Sequence, residues 1–252
     1  MQAYRSAFAR VYNLRWGGFA QWIAPRLEDF YRSTPAGQAK HDVLDLCCGT
    51  GQLSLHFLEH GYRVTGIDLS EPMLHYAREN AGDYVQSGQA RYVQGDASEF
   101  TMEQHFGLVV STFDALNHLE SKDKLQQCFQ CVFAVLEPGG VLVFDLNTRD
   151  GLQRWNSIRV DDSKEVMVVS RGIYDGQGER AYTQLSGFVL TENGLYERFE
   201  ETVYNTVFDM DWVRDALLRT GWQDVYFALG NDLTVPIEDP EKEPRVFFVA
   251  RR

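Results

Sequence analysis

Residues 43–51 restrict the fold of this 252-residue chain more than any other stretch. There Asp45 sits inside the apolar run of Val43, Leu44, Leu46, Cys47 and Cys48, and the run closes on Gly49, Thr50 and Gly51. An apolar run ending in small residues just before an amphipathic helix reads as a strand–turn–helix unit. Ligands of open α/β sheets bind at that end of the strand, because glycines let them approach the backbone and the next helix offers free N–H groups.

The unit repeats. A helix follows Gly51 and ends at Gly61, and residues 63–67 read as a strand. A second helix starts at Ser70, with Pro72 in its first turn and Met73, Leu74 and Ala77 as its buried face. Strands at 91–94 and 108–111 come next, then a helix over 121–136 that stops at Pro138, Gly139 and Gly140 before a strand at 141–146. Five βα-type units in a row predict a parallel sheet covered by helices on both faces. Beyond residue 150 the rhythm changes to β-rich runs at about 165–173, 181–190 and 195–207, separated by Asp175-Gly176 and Asn193-Gly194. These pairs predict antiparallel hairpins. A helix from Asp209 to Gly221, with Met210, Val213 and Leu217 inward, precedes strands near 222–229 and 245–250. Residues 1–32 form two aromatic-rich helical segments, and Ser33 to Gly37 reads as a turn. The expectation is one domain: a helical lid (1–40), a cofactor-binding core (41–150), an inserted β cap (151–207) and a last helix and strands completing the core (208–252).

Composition narrows the partners. A formal charge of −12 disfavours long nucleic acid, whose binding draws on clustered Lys and Arg. No apolar run reaches the roughly 18 residues of a membrane span, and the N-terminus lacks the apolar stretch of a secretory signal, which makes the cytoplasm the default compartment. Cys128 and Cys131 have C-x2-C spacing, but with Leu125, Phe129, Val132, Phe133 and Leu136 they follow the pattern of a buried helix face. No metal is expected.

Three acids mark successive strand ends. Gly49 and Gly51 lack the third glycine of a dinucleotide fingerprint, and Asp45 would repel a pyrophosphate. That acid suits a ligand carrying an ammonium and a sulfonium, such as S-adenosylmethionine, or it organises the turn through its N–H groups. Asp68 ends the second strand, where a carboxylate can accept both hydroxyls of a ribose. Asp96 follows the third, where it can accept an adenine amino group while the Ala97 N–H donates to a ring nitrogen. Each acid could alone be a helix cap, but the ordered set is harder to explain that way.

With VLDLCCGTG, VTGIDLS, YVQGDASEF, LVVSTFDALNHL and LEPGGVLVFDLNT in this order, residues 42–147 resemble the class I S-adenosylmethionine-dependent methyltransferases. The resemblance implies a Rossmann-like seven-stranded sheet whose final, antiparallel strand residues 245–250 can supply. It implies a cofactor site at Asp45, Cys47, Gly49, Thr50 and Gly51, at Asp68, Leu69 and Met73, and at Asp96, Ala97 and Thr112. Cys47 departs from the family, which usually has glycine there. The N-terminal segment looks like the lid of small-molecule methyltransferases, with Tyr12 and Trp22 closing over the cofactor; the alternative is that both are core aromatics. His118 matches in position a histidine of sugar-amine N-methyltransferases, and serves either as general base or as an orienter of its loop. His41, His56, His60, His75 and His105 read as ordinary strand or helix positions.

The reading that follows is methyl transfer to a small-molecule N or O nucleophile by a monomer or homodimer. Two rivals are an NAD-dependent oxidoreductase, which would need the missing phosphate loop, and a catalytically silent protein that binds S-adenosylmethionine.

Overall fold

The computed structural model describes residues 4–252. Its N-terminal helices are α1 (Ser6–Arg15), α2 (Gly18–Arg32) and α3 (Pro35–Ala39). The predicted turn at Ser33 to Gly37 is thus a short helix, because the Thr34 hydroxyl accepts the Gly37 N–H at 3.1 Å and Pro35 fits the first turn.

Strands β1 (Asp42–Leu46), β2 (Arg63–Asp68), β3 (Ala90–Gln94), β4 (Phe106–Ser111) and β5 (Leu136–Asn147) pair in parallel. Between them lie α4 (Gln52–Glu59), α5 (Glu71–Asn80), α6 (Gly82–Gln86) and α7 (Lys122–Val135). Ser70 caps α5 and Ser121 caps α7 through their hydroxyls. The expected alternation fails once, since β3 reaches β4 through residues 95–105 without a helix. Pro138 and Gly139 do not stop a helix either. α7 has already ended, and they form an excursion in β5, where the register against β4 shifts between Leu136 and Val141.

After α8 (Arg149–Gln153) come β6 (Ile158–Asp162), β7 (Val166–Ile173), β8 (Arg180–Leu190) and β9 (Tyr196–Thr206), an antiparallel sheet in that order. The chain then returns through α9 (Met210–Thr220), β10 (Gln223–Leu229), β11 (Asp232–Ile237) and β12 (Arg245–Arg251). The main sheet therefore has eight strands, ordered β11-β10-β12-β5-β4-β1-β2-β3, with β12 antiparallel to β5. The two strands missing from the sequence reading, β6 and β11, are both edge strands. β6 is short and exposed throughout, and β11 contains Pro236, which cannot donate to a ladder and is confined to edges.

One face of the main sheet packs Phe129, Val132, Val213 and Leu217 of α7 and α9. The other packs Ile23, Leu27, Phe57 and Leu74 of α2, α4 and α5. A third cluster joins Phe8 and Val11 of α1 to Met73 of α5 and to Val168, Leu185 and Phe199 of the antiparallel sheet, so α1 packs between α5 and that sheet. Among the described residues no helix is long and apolar enough to cross a membrane.

Candidate active site

The turn after β1 takes the left-handed backbone that its composition allows. Gly49 has φ +55° and Gly51 φ +78°, and a Cβ on Gly51 would come within 3.1 Å of Ala77 Cβ and the Tyr92 hydroxyl. Cys47 also has φ +61°, a conformation that favours glycine. Asp68 holds the turn in place. Its Oδ2 accepts the Gly49 N–H at 2.9 Å and its Oδ1 accepts the Ser70 N–H at 2.8 Å. Burial raises the Asp68 pKa, and these N–H groups pull it back. Asp45 lies beneath, only 2% exposed, accepting the Ser54 hydroxyl at 2.6 Å; burial pushes its pKa up to about 7 against that hydrogen bond.

A cavity of about 570 Å³ opens above this turn. Cys47, Gly49, Asp68, Leu69, Met73 and Thr112 form its floor, and Tyr4, Phe8, Tyr12 and Trp16 of the N-terminal segment form its roof. The antiparallel sheet supplies the remaining wall, with Ser170, Thr183, Leu185 and Asn205 facing inward. Arg15 pairs with Asp161 and so ties α1 to β6 at the rim.

The loop after β4 is held by charge. Phe113 (φ +65°) and Asp114 (φ +52°) adopt left-handed backbone, and both of their N–H groups donate to Asp145 of β5, at 2.6 and 2.9 Å. Arg245 of β12 pairs with Asp145 and, at 2.6 Å, with Asp114. Burial opposes the guanidinium charge, but these two carboxylates outweigh it and raise the Arg245 pKa. The strained pair thereby presents a turn of 3-10 helix, Ala115–His118, to the cavity. Asn117 locks that turn: it donates to the Thr206 carbonyl at 3.0 Å and accepts the Asn147 N–H at 2.9 Å. His118 faces the cavity with Nε2 3.4 Å from the Tyr4 hydroxyl. Burial lowers its pKa, which keeps the imidazole neutral, while Asp114 acts in the opposite sense.

Of the residues singled out from the sequence, Tyr12, Cys47, Gly49, Asp68, Leu69, Met73, Thr112 and His118 meet at this cavity. Six lie off its wall. Trp22 is 40% exposed and packs on Phe19 and under Arg26, because α2 runs along the main sheet while α1 packs against the antiparallel sheet at the cavity. Asp45 is one layer below, Thr50 is fully buried, and Gly51 caps α4. The Asp96 carboxylate is turned to the Ser98 N–H and hydroxyl at 2.8 and 2.7 Å, and Ala97 is buried in the core. The sequence assigned no place in the site to Asp145 or Arg245. Arg245 gave no local signal, because its partners are 131 and 100 residues away.

The chemistry of the walls fits a cationic nucleoside ligand. Asp114, Asp68, Asp45 and Asp145 all act on the buried Tyr12 hydroxyl and add to the upward push of burial on its pKa. A cavity floor with such a field attracts positive charge, and the aromatic roof offers ring faces to it. Each Asp68 oxygen accepts one backbone N–H and keeps a lone pair for a ribose hydroxyl.

A parallel sheet with an acid under its first turn, an acid ending its second strand and an antiparallel sheet over the mouth defines a Rossmann-like enzyme of the methyltransferase type. Residues 43–140 match the family described as a methyltransferase domain. YqeM of Bacillus subtilis, a protein classed with the methyltransferases, is 31% identical over 216 residues, which cover 84% of this chain and 85% of that one. The dTDP-3-amino-3,4,6-trideoxy-alpha-D-glucopyranose N,N-dimethyltransferase of Streptomyces venezuelae is 31% identical over 186 residues, 70% of this chain and 74% of that one. The crystal structure of an S-adenosylmethionine-dependent methyltransferase from Clostridium acetobutylicum superimposes with a TM-score of 0.79 at 22% identity, covering 97% of each chain. The chain belongs to the class I S-adenosylmethionine-dependent methyltransferases.

Proposed function

We propose that the protein methylates an amine of a small, sugar-like acceptor. The observation that carries this reading is His118, half-buried on the cavity wall beside Asp114, where desolvation lowers its pKa and favours the neutral imidazole. The acids below would draw in an ammonium group, and a neutral imidazole can take its proton and leave the nitrogen lone pair free. Bound S-adenosylmethionine supplies an electrophilic methyl group. On this reading Asp68 holds the ribose diol and Asp45 balances the cofactor's positive charge from beneath the turn. The rings of Tyr4, Phe8 and Tyr12, with the antiparallel sheet, keep water from the reacting atoms. Ser170, Thr183 and Asn205 offer hydroxyl and amide groups to a polyhydroxylated acceptor. The aminosugar dimethyltransferase relative supports the same acceptor class.

The test is formation of S-adenosylhomocysteine with nucleotide-linked aminosugars, amino acids and phenols offered in parallel. Turnover with an aminosugar is the expected result. Turnover confined to phenols or carboxylates would overturn it.

A further inference from the structure

The structure brings together three side chains that methyl transfer does not use. His56 near the end of α4 and His60, its C-cap, stand four residues apart and so lie on one side of the helix. Opposite them, α2 presents Glu28, which is 6% exposed. Glu28 Oε2 lies 2.9 Å from His56 Nε2 and bonds His60 Nδ1 as well, and the two imidazole centroids are 4.2 Å apart. Among the described residues this is the one group of three such side chains whose ligand atoms all lie within 4.8 Å of one another. None of the three lines the cavity.

A hydrogen-bonded cluster is a weak reason to bury a carboxylate here. The same α2–α4 contact is otherwise made by Ile23, Leu27, Leu53 and Phe57, and apolar side chains at such a point are usually at least as stable as buried ionic ones. Three imidazole and carboxylate donor atoms this close to one another can, however, close around a single divalent cation. Neutral imidazole nitrogens and a carboxylate are borderline donors suited to zinc, and three protein ligands leave a fourth tetrahedral position for water.

We propose that Glu28, His56 and His60 form a zinc site that fastens α2 to α4. On binding, each imidazole carries its proton on the ring nitrogen facing away, and Oε2 turns from the two N–H groups to the metal. Arg32, 3.6 Å from Glu28 Oε1, is 68% exposed and free to swing into solvent. The site links both sides of the cofactor region. α4 begins at the Gly49–Gly51 turn, and α2 carries Phe19, whose ring stacks on Phe113 with centroids 5.0 Å apart.

The experiment is isothermal titration of the chelator-treated full chain with zinc chloride, with thermal melts alongside. The expected result is one saturable equivalent per chain and a rise in Tm. Magnesium chloride should give neither, because hard oxygen-preferring ions do not favour imidazole. The half-exposed His60 can be removed without opening the core, so His60→Ala should fold, as circular dichroism would verify. It should lose zinc affinity by roughly tenfold or more, the scale that even an outer-shell partner commands, and lose the Tm rise. Absence of a saturable equivalent in the wild-type chain would overturn the site. So would equal affinity in a folded His60→Ala or in Glu28→Gln. None of these readouts depends on methyl transfer.

Discussion

Asp68 and His118 carry the two residue-scale predictions, and they separate cofactor binding from chemistry. Asp68→Ala removes the acceptor of the Gly49 and Ser70 N–H groups together with the proposed ribose contact. Charge-assisted hydrogen bonds of this kind are worth about 1.5–3 kcal/mol, so calorimetry should show S-adenosylmethionine affinity at least about tenfold weaker. Undiminished affinity in a folded variant would remove Asp68 from the site. His118→Ala should leave that affinity nearly intact and lower kcat by roughly 10²–10⁴. The lowered pKa of His118 sets the pH profile, since the neutral form is the base. Activity should therefore fall only below the usual histidine range, and alkaline pH should partly rescue His118→Ala. Wild-type turnover in that variant would leave His118 an orienting role. Asp68 was singled out by its strand-end position, His118 only by the resemblance of the loop after β4 to that of sugar-amine N-methyltransferases. Asp145 was not, because its use depends on Phe113 and Asp114 folding back onto it.

At the scale of elements, three segments far apart in the chain enclose the floor made by the glycine turn and Asp68: α1, the 3-10 turn after β4, and the inner face of β7 to β9. Asn117 welds the second to the third through Asn147 and the Thr206 carbonyl, while Asn147 in turn donates to Asn205 on the cavity wall. Asn117→Ala would leave buried partners unpaired at about 1–3 kcal/mol each, and thermal unfolding should register the loss. Its kinetic signature should be a lower kcat with cofactor affinity retained, because the Asp68 side of the floor does not touch this network. A fall in affinity as large as the fall in kcat would refute that division of labour. Helix caps and the Asn193-Gly194 turn were readable locally, since Ser70, Ser121 and Asp209 act within three residues of themselves. The lid was harder to assign. Tyr12 and Trp22 look alike in sequence, and only the packing of α2 on the main sheet removes Trp22 from the mouth.

For the whole molecule, the buried acids make stability and cofactor binding pH-dependent in opposite senses. Asp45 titrates at about 7 when folded and near 3.9 when unfolded. Between those values the folded chain holds the extra proton, so stability should decline as pH rises through that window, with Asp68 and Asp145 shifted in the same direction. A cationic cofactor favours the ionised carboxylate. Its affinity should therefore rise from about pH 5 to about pH 7 and level off above, with proton release on binding at the acidic end. Calorimetry in buffers of different ionisation enthalpy would measure that release, and a flat affinity across the range would exclude a role for the Asp45 charge. The sequence by itself determined the sheet, its glycine turn and the acids at its strand ends, because strand period, turn chemistry and capping act over a few residues. Only the tertiary structure decided which helix covers the mouth, that Arg245 closes on Asp114 and Asp145, and that Glu28 meets His56 and His60. Those contacts join residues 28 to 131 positions apart, and their energy depends on burial and charge that no local pattern records.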